Sequence, residues 1–81
     1  MDQLSKSIGQ LIKELRVAKR MGQNELAKKS ALSRSYLSEI ENENADPSLR
    51  ALRKIAISLD VSMAQIFEES NYEEIGANRS K

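Results

Sequence analysis

The sequence of 81 residues contains no cysteine and no histidine. Their absence excludes a zinc site built from Cys and His ligands, a disulfide framework, and a thiol or imidazole nucleophile. General acid–base catalysis also loses the imidazole, the side chain most often used for it. The chain has no Gly-rich phosphate-binding loop and is too small for a large pocket. These features predict a protein that is not an enzyme, has no catalytic residues, and needs no metal or cofactor.

Long apolar runs are also missing, since the longest is the three-residue stretch Ile55-Ala56-Ile57. A membrane-spanning helix needs about 20 apolar residues, and the N-terminus has no apolar stretch beside a basic one, as a secretory signal would. The sequence therefore predicts a cytoplasmic protein without membrane contact. Hydrophobic residues make up 40% of the chain and charged residues 31%, which is typical of a folded domain. The core of so short a chain is thin, so a partner subunit would help to stabilise it.

The net charge of +1 hides an asymmetry along the chain. Residues 1–34 hold eight Lys and Arg against three acids, which gives a charge of +5, whereas residues 35–81 hold five against nine, which gives −4. A basic first half indicates a surface that meets an anionic partner such as nucleic acid. The alternative is ordinary solvated helix surface, and the charge pattern alone leaves both open.

The apolar pattern predicts an all-α fold. Apolar residues recur at steps of three and four rather than alternating as they would in a strand. Five helices are expected, at about Ser5–Arg20, Gln23–Ser30, Arg34–Asn42, Ser48–Leu59 and Met63–Ser70. Residues 1–70 would form one domain. The polar segment 71–81 is expected to be disordered in the isolated chain or to extend a dimer interface.

The second and third predicted helices have the layout of a helix-turn-helix, in which a turn of three or four residues joins two short helices. Ser33 is a good N-cap for the third helix. At about 100° per residue, Leu37 and Ile40 point inward. The outward face is polar and holds Ser35, Ser38, Glu39 and Asn42, with Arg34 and Tyr36 on its flanks.

This polar face is suited to reading DNA, because small residues permit close approach in the major groove and an arginine matches the O6 and N7 atoms of guanine. Glu39 would repel phosphate, so it must accept a hydrogen bond from a cytosine amine or pair with a cation. Any surface helix also has a polar face, and Tyr36 could equally be a packing residue. The residues alone therefore leave DNA reading and a solvated surface open.

Several spaced segments together resemble one protein family, the Xre-type (lambda repressor/Cro-like) helix-turn-helix regulators. The resemblance spans about Ile8–Phe67 and is carried by Leu15-Arg16, Gln23-Asn24-Glu25-Leu26-Ala27, residues 32–41 and Pro47-Ser48-Leu49. Within the family, the stretch Arg-Ser-Tyr-Leu-Ser at 34–38 is similar to restriction–modification controller proteins and small phage-type repressors.

The resemblance implies a compact five-helix bundle that binds double-stranded DNA as a homodimer, with the third helix in the major groove of a roughly palindromic operator. Regulation of transcription would follow from blocking the promoter or from contacting RNA polymerase. The expected DNA-binding residues are Gln23, Ser33, Arg34, Ser35, Tyr36, Ser38, Glu39, Asn42 and Asn44. Gln23 matches a phosphate-contacting position, although it could instead only stabilise the start of its own helix. Arg16 and Glu41 match a pair that forms an internal salt bridge.

The sequence departs from the family pattern at two places. Gly22 stands where the family has Ser or Thr, so the second helix lacks a side-chain cap, which costs a few tenths of a kcal/mol. In the loop after Glu41, Glu43 and Asn44 stand where the family favours Gly followed by Lys or Arg. We therefore expect this loop to contribute less DNA affinity than its counterparts do.

A dimer interface is expected at the fifth predicted helix and the end of the fourth. Its expected residues on the fifth helix are Met63, Ile66 and Phe67. Three large apolar side chains crowd a short helix at the edge of a thin core, but all three could equally be core residues. A rival function also stays open, in which the same bundle is a protein-interaction module or an antitoxin-type subunit that holds a protein partner.

Overall fold

The computed structural model of the protein describes residues 6–70, which form five α-helices and contain no strand. The helices are α1 Ile8–Ala18, α2 Gln23–Lys29, α3 Arg34–Glu41, α4 Leu49–Leu59 and α5 Met63–Glu69. The all-α, five-helix prediction is therefore confirmed. The predicted tail at 71–81 lies outside the described residues.

Four of the five helices begin at a serine whose hydroxyl oxygen accepts a hydrogen bond from the backbone N–H three residues further on, at 3.0 Å. These N-caps are Ser7, Ser33, Ser48 and Ser62. Gln10 completes a capping box, since its Oε1 accepts from the backbone N–H of Ser7. This box starts α1 at Ile8, so the predicted start at Ser5 was wrong. Gly22 gives α2 no side-chain cap, as the sequence predicts.

Four helices are followed by a non-glycine residue in the left-handed conformation. The φ angles are 58° at Arg20, 56° at Ala31, 65° at Glu43 and 61° at Asp60. After each of them, the next N–H donates to a carbonyl five positions back, as Asn44 does to Glu39 at 2.8 Å. This closure satisfies the terminal carbonyls and ends the helix. Glu43 thus holds, without being glycine, the backbone conformation that the family pattern gives to a glycine.

The core is a single cluster of aliphatic side chains from all five helices. Its fully buried large members are Leu11, Ile12, Leu26, Leu37, Ile40, Leu52, Ile55, Leu59 and Ile66. The helix α3 packs against both α1 and α2. Leu37 and Ile40 point inward as predicted, so the opposite face of α3 is left to solvent.

Candidate nucleic-acid interface

The outward face of α3 forms a shallow polar depression on the surface. Its lining side chains are those of Arg34, Ser35, Ser38 and Glu39. Ser38 is half-buried and the other three residues are exposed. The arrangement offers a hydrogen-bond donor at the first residue of the helix, two small hydroxyl side chains, and an acceptor five residues further on. It supports the sequence expectation that these four residues share one accessible surface.

Two residues at the start of α3 have structural contacts beside that surface. The Oγ of Ser33 accepts the backbone N–H of Tyr36, which caps the helix. The hydroxyl of Tyr36 accepts the backbone N–H of Ser48 at 3.1 Å, and its ring is half-buried against the core. Tyr36 therefore ties the start of α3 to the start of α4. Its hydroxyl hydrogen is left over, and it can still donate to a phosphate or a base.

The two asparagines of the expected site lie beyond the end of α3. Both are exposed. The amide of Asn42 donates to Ser38 Oγ at 3.4 Å, which is a long hydrogen bond. The side chain of Asn44 makes no hydrogen bond with any residue in the range 6–70. Because Glu43 lies exposed between them and Asp46 is exposed further along, this loop presents amides and two negative charges rather than a cation.

A part-buried ion pair joins α1 to the end of α3. Arg16 Nε lies 2.8 Å from Glu41 Oε2, and Arg16 Nη2 lies 2.9 Å from Glu41 Oε1. The side chains are 11% and 2% exposed. Arg16 Nη1 also donates to the carbonyl of Met21 at 2.9 Å. The pair expected from the resemblance is thus present as a two-point contact, and the arginine also holds the chain where it turns into α2.

Gln23, the first residue of α2, belongs to the same cluster. Its Nε2 donates to Glu41 Oε1 at 3.0 Å, so Glu41 accepts bonds from α1 and α2 while sitting on α3. The side chain is half-buried. One amide hydrogen is used in this bond, and the other remains for a second acceptor. Gln23 therefore has a structural contact, but with α3 rather than with the start of its own helix, and the phosphate contact stays a proposal.

The environment of Glu41 shifts the pKa of its carboxyl group. Burial raises the pKa of Glu41, but the hydrogen bonds from Arg16 and Gln23, the charge of Arg16 and a smaller contribution from Lys13 outweigh it. The pKa therefore lies below the ordinary value of 4.5. The hydrogen bond with Glu41 in turn raises the pKa of Arg16. Glu41 is thus an ionised anchor at neutral pH, where α1, α2 and α3 meet.

The three residues expected at the dimer interface differ in how deeply they are buried. Ile66 is 0% exposed and belongs to the core, so its assignment to an interface was wrong. It packs inward because its position in α5 faces the other helices. Met63 and Phe67 lie against the same core but stay half-buried. Near the end of α4, Ile57 is 72% exposed; sequence reasoning missed it, although it stands just outside the apolar register of that helix.

Residues 6–70 contain no cluster of three acidic side chains that could hold a metal ion. In the same range, no helix has both the length and the apolar character needed to cross a membrane.

Comparison with known proteins identifies the family. Residues 12–66, more than half of the chain, match the family described as Helix-turn-helix. The chain is 42% identical over 77 residues to the ImmF control region 10 kDa protein of Bacillus phage phi105, which covers 93% of this chain and 86% of the phage protein. The chain belongs to the Xre-type helix-turn-helix family of transcriptional regulators.

Solved structures show the same fold. A crystal structure of SinR, a master regulator of biofilm formation, in complex with DNA has a TM-score of 0.70 and 41% identity, over 74% of this chain and 97% of that one. The restriction–modification controller protein C.AhdI from Aeromonas hydrophila has a TM-score of 0.71 and 37% identity, over 73% and 89%. The chain spans 59% of the length of SinR from Bacillus subtilis.

These matches confirm the resemblance to the Xre-type helix-turn-helix regulators. They include a phage immunity repressor and a controller protein, the two groups expected from residues 34–38. The relatives are regulators of transcription rather than enzymes, which confirms the prediction that the chain is not an enzyme.

Proposed function

We propose that the chain is a sequence-specific regulator of transcription that binds a roughly palindromic DNA operator as a homodimer, with α3 in the major groove. The observation that carries the proposal is the exposed polar depression on α3. A related chain with the same fold is solved in complex with DNA. Occupying an operator would change promoter access by steric block or by contact with RNA polymerase. Such a protein acts where the DNA is, which favours the cytoplasm.

The proposed contacts divide into two kinds. Arg34, Ser35 and Glu39 line the depression, and they are the proposed readers of base edges because donors and acceptors there can match a base pattern. Contacts to phosphate fix the register and supply most of the salt-dependent affinity. The residues proposed to contact the backbone, or to touch both backbone and bases, are Gln23, Ser33, Tyr36, Ser38, Asn42 and Asn44.

Gln23 is suited to a phosphate because Glu41 holds its amide in place. The Nε2 atom already donates one hydrogen to Glu41, so the side chain does not have to be ordered when DNA binds. A preorganised donor loses less conformational entropy on binding than a free one. The second hydrogen of that amide would be given to the phosphate.

The proposed homodimer uses the end of α4 and the outer side of α5. Ile57 is 72% exposed, and Met63 and Phe67 are only half-buried in one subunit. Covering these side chains would add apolar burial to a small core. Two copies of α3 should then lie about 34 Å apart, one turn of DNA, with half-sites about 10 base pairs apart.

The direct test is selection of bound duplexes from a random pool, followed by gel-shift titration of the selected sequence at several salt concentrations. We expect a motif with two-fold symmetry and an affinity that falls steeply with salt. An asymmetric motif would contradict the homodimer on a palindrome. Weak binding to every duplex would instead favour the rival interpretation, a module that holds a protein partner.

A further inference from the structure

We propose that Glu39 selects a cytosine in the operator and that Arg34 selects a guanine in the same half-site, about two base-pair steps away. The inference rests on the proposed function, because it assigns bases to the face of α3 that would enter the major groove. It concerns the two charged members of the polar depression.

Neither charge is neutralised by another side chain in the described part of the chain. Arg34 and Glu39 are both exposed and both line the depression. Neither forms an ion pair or a side-chain hydrogen bond with the other, or with any residue in the range 6–70. The sequence leaves Glu39 with either a cytosine amine or a cation as its partner. No cation in the range 6–70 pairs with Glu39, so its carboxylate is available to accept a hydrogen bond from the DNA.

The chemistry of a carboxylate restricts the bases that Glu39 can contact in a major groove. An ionised carboxylate only accepts hydrogen bonds, so phosphate oxygens, guanine O6 and N7, and thymine O4 all repel it. Adenine offers its N6 amine, but the neighbouring N7 is an acceptor. Cytosine offers its N4 amine without a neighbouring acceptor on the same edge. Glu39 thus favours cytosine both by the bond it makes and by the bases it rejects.

The distance between Arg34 and Glu39 along α3 corresponds to the spacing of base pairs in DNA. Five residues separate Arg34 from Glu39, which corresponds to about 7.5 Å of helix rise. Base pairs stack about 3.4 Å apart, so the two side chains reach pairs about two steps apart. Ser35 and Ser38 lie between them, and their small size lets the helix approach the base edges closely.

The test is the same selection from random duplexes, carried out with the wild-type chain and with the variants Glu39→Gln and Glu43→Gln. Glutamine pairs with the N6 and N7 atoms of adenine, so Glu39→Gln should move the preference from cytosine to adenine at one position of each half-site. The guanine position assigned to Arg34 should not change. Gel-shift titration should show that wild type prefers cytosine over adenine at that position by about ten- to hundred-fold.

Glu43→Gln is the matched control. Glu43 is also exposed, but it lies in the loop after α3 and not in the lining of the depression. The substitution Glu43→Gln removes the same negative charge as Glu39→Gln. It should therefore raise the affinity for all DNA sequences alike and leave the selected motif unchanged. Circular dichroism would confirm that all three chains fold.

The outcomes separate the two levels of the proposal. A wild-type motif without cytosine about two steps from guanine overturns the inference, and so does a motif that Glu39→Gln leaves unchanged; both leave the proposed function standing. A folded wild-type chain that selects no motif overturns the proposed function and the inference together.

Discussion

Gly9 in α1 lies directly against the backbone carbonyl of Ile40 near the end of α3. A Cβ atom built on Gly9 would stand 2.0 Å from the Ile40 oxygen and 3.3 Å from Cα of Glu41. No real side chain approaches a backbone oxygen so closely. The missing side chain therefore sets how near α1 comes to α3, and it does so one residue away from the part-buried Arg16–Glu41 pair.

We expect Gly9→Ala to destabilise the fold. The obstacle is backbone rather than a flexible side chain, so α1 must shift away from α3. Overpacking of this kind typically costs about 1–3 kcal/mol, more than the gain in helix propensity of about 1 kcal/mol. Urea unfolding followed by circular dichroism would measure the free energy of unfolding.

Gly22→Ser provides the control, because nothing lies within 4 Å of a Cβ at Gly22. A serine there would supply the missing cap of α2 and should stabilise the fold by a few tenths of a kcal/mol. If Gly9→Ala were as stable as wild type, the close approach would not constrain the packing of α1.

The Arg16–Glu41 pair should make stability depend on pH. The pKa of Glu41 is lower in the folded chain than its ordinary value of 4.5, so the unfolded chain binds the proton more readily. The contribution is therefore complete above the ordinary value and is lost as pH falls through it towards the folded pKa. Urea unfolding at pH 7 and at lower values should show this loss in wild type, and a smaller loss in Glu41→Gln.

At neutral pH, Glu41→Gln leaves the part-buried charge of Arg16 without its anionic partner and should cost up to about 3–5 kcal/mol, the range for fully buried pairs. Glu14→Gln is the comparison, since Glu14 pairs with Lys6 at the surface, where the side chains are 57% and 38% exposed. Breaking such an exposed pair should cost at most about 1 kcal/mol. Equal effects of the two substitutions would contradict the buried-anchor interpretation.

Arg34→Ala should reduce operator affinity by about 1–3 kcal/mol and relax the preference at one base position. The reason is the loss of a two-point contact to guanine without any loss of packing, since Arg34 is exposed. Gln23→Ala is the contrast: it should weaken binding to all sequences alike, because phosphate carries no sequence information. Titrations against single-base operator variants would separate the two patterns, and a uniform loss for Arg34→Ala would place Arg34 on phosphate.

Ile57→Glu should weaken the homodimer while leaving the subunit folded, because the side chain is 72% exposed in the single chain. A charge buried at an apolar interface is costly unless it is paired. Sedimentation equilibrium at micromolar concentration would give the monomer–dimer balance. Val17→Glu is the control, since Val17 is 56% exposed on α1, where it lies with Lys13 and Glu41, and it is not among the proposed interface residues. Equal dimerisation by wild type and Ile57→Glu would remove Ile57 from the interface.

The sequence predicts the helices well because their signals are local. The spacing of apolar residues places five helices, and Ser33 caps α3 as expected. The errors lie at helix ends, where neighbouring caps compete. The Ser7–Gln10 capping box starts α1 later than predicted, and Ser48 caps α4 instead of being its first residue.

In the candidate site, too, the features with local signals are predictable from the sequence and the contacts between distant residues are not. Helical periodicity alone puts Glu39 on the outward face of α3 and Arg34 on its flank, because side chains on a helix have fixed angular positions. The structure adds that both line one depression. It does not reveal that Gln23 bonds to Glu41 or that Tyr36 bonds to the N–H of Ser48. Those contacts join residues that are 18 and 12 positions apart in the chain, and no local pattern encodes the distance between them.

The amino-acid order by itself therefore determined the helix type, the polar face of α3 and the family to which the chain belongs, since each follows from residue spacing within short segments. Only the tertiary structure decided that Ile66 is core, that Ile57 is exposed, and that Gly9 permits α1 to touch α3. The physical reason is that burial and close approach depend on how complete helices stack. A one-dimensional pattern contains the faces of the helices but not the angles at which those faces meet.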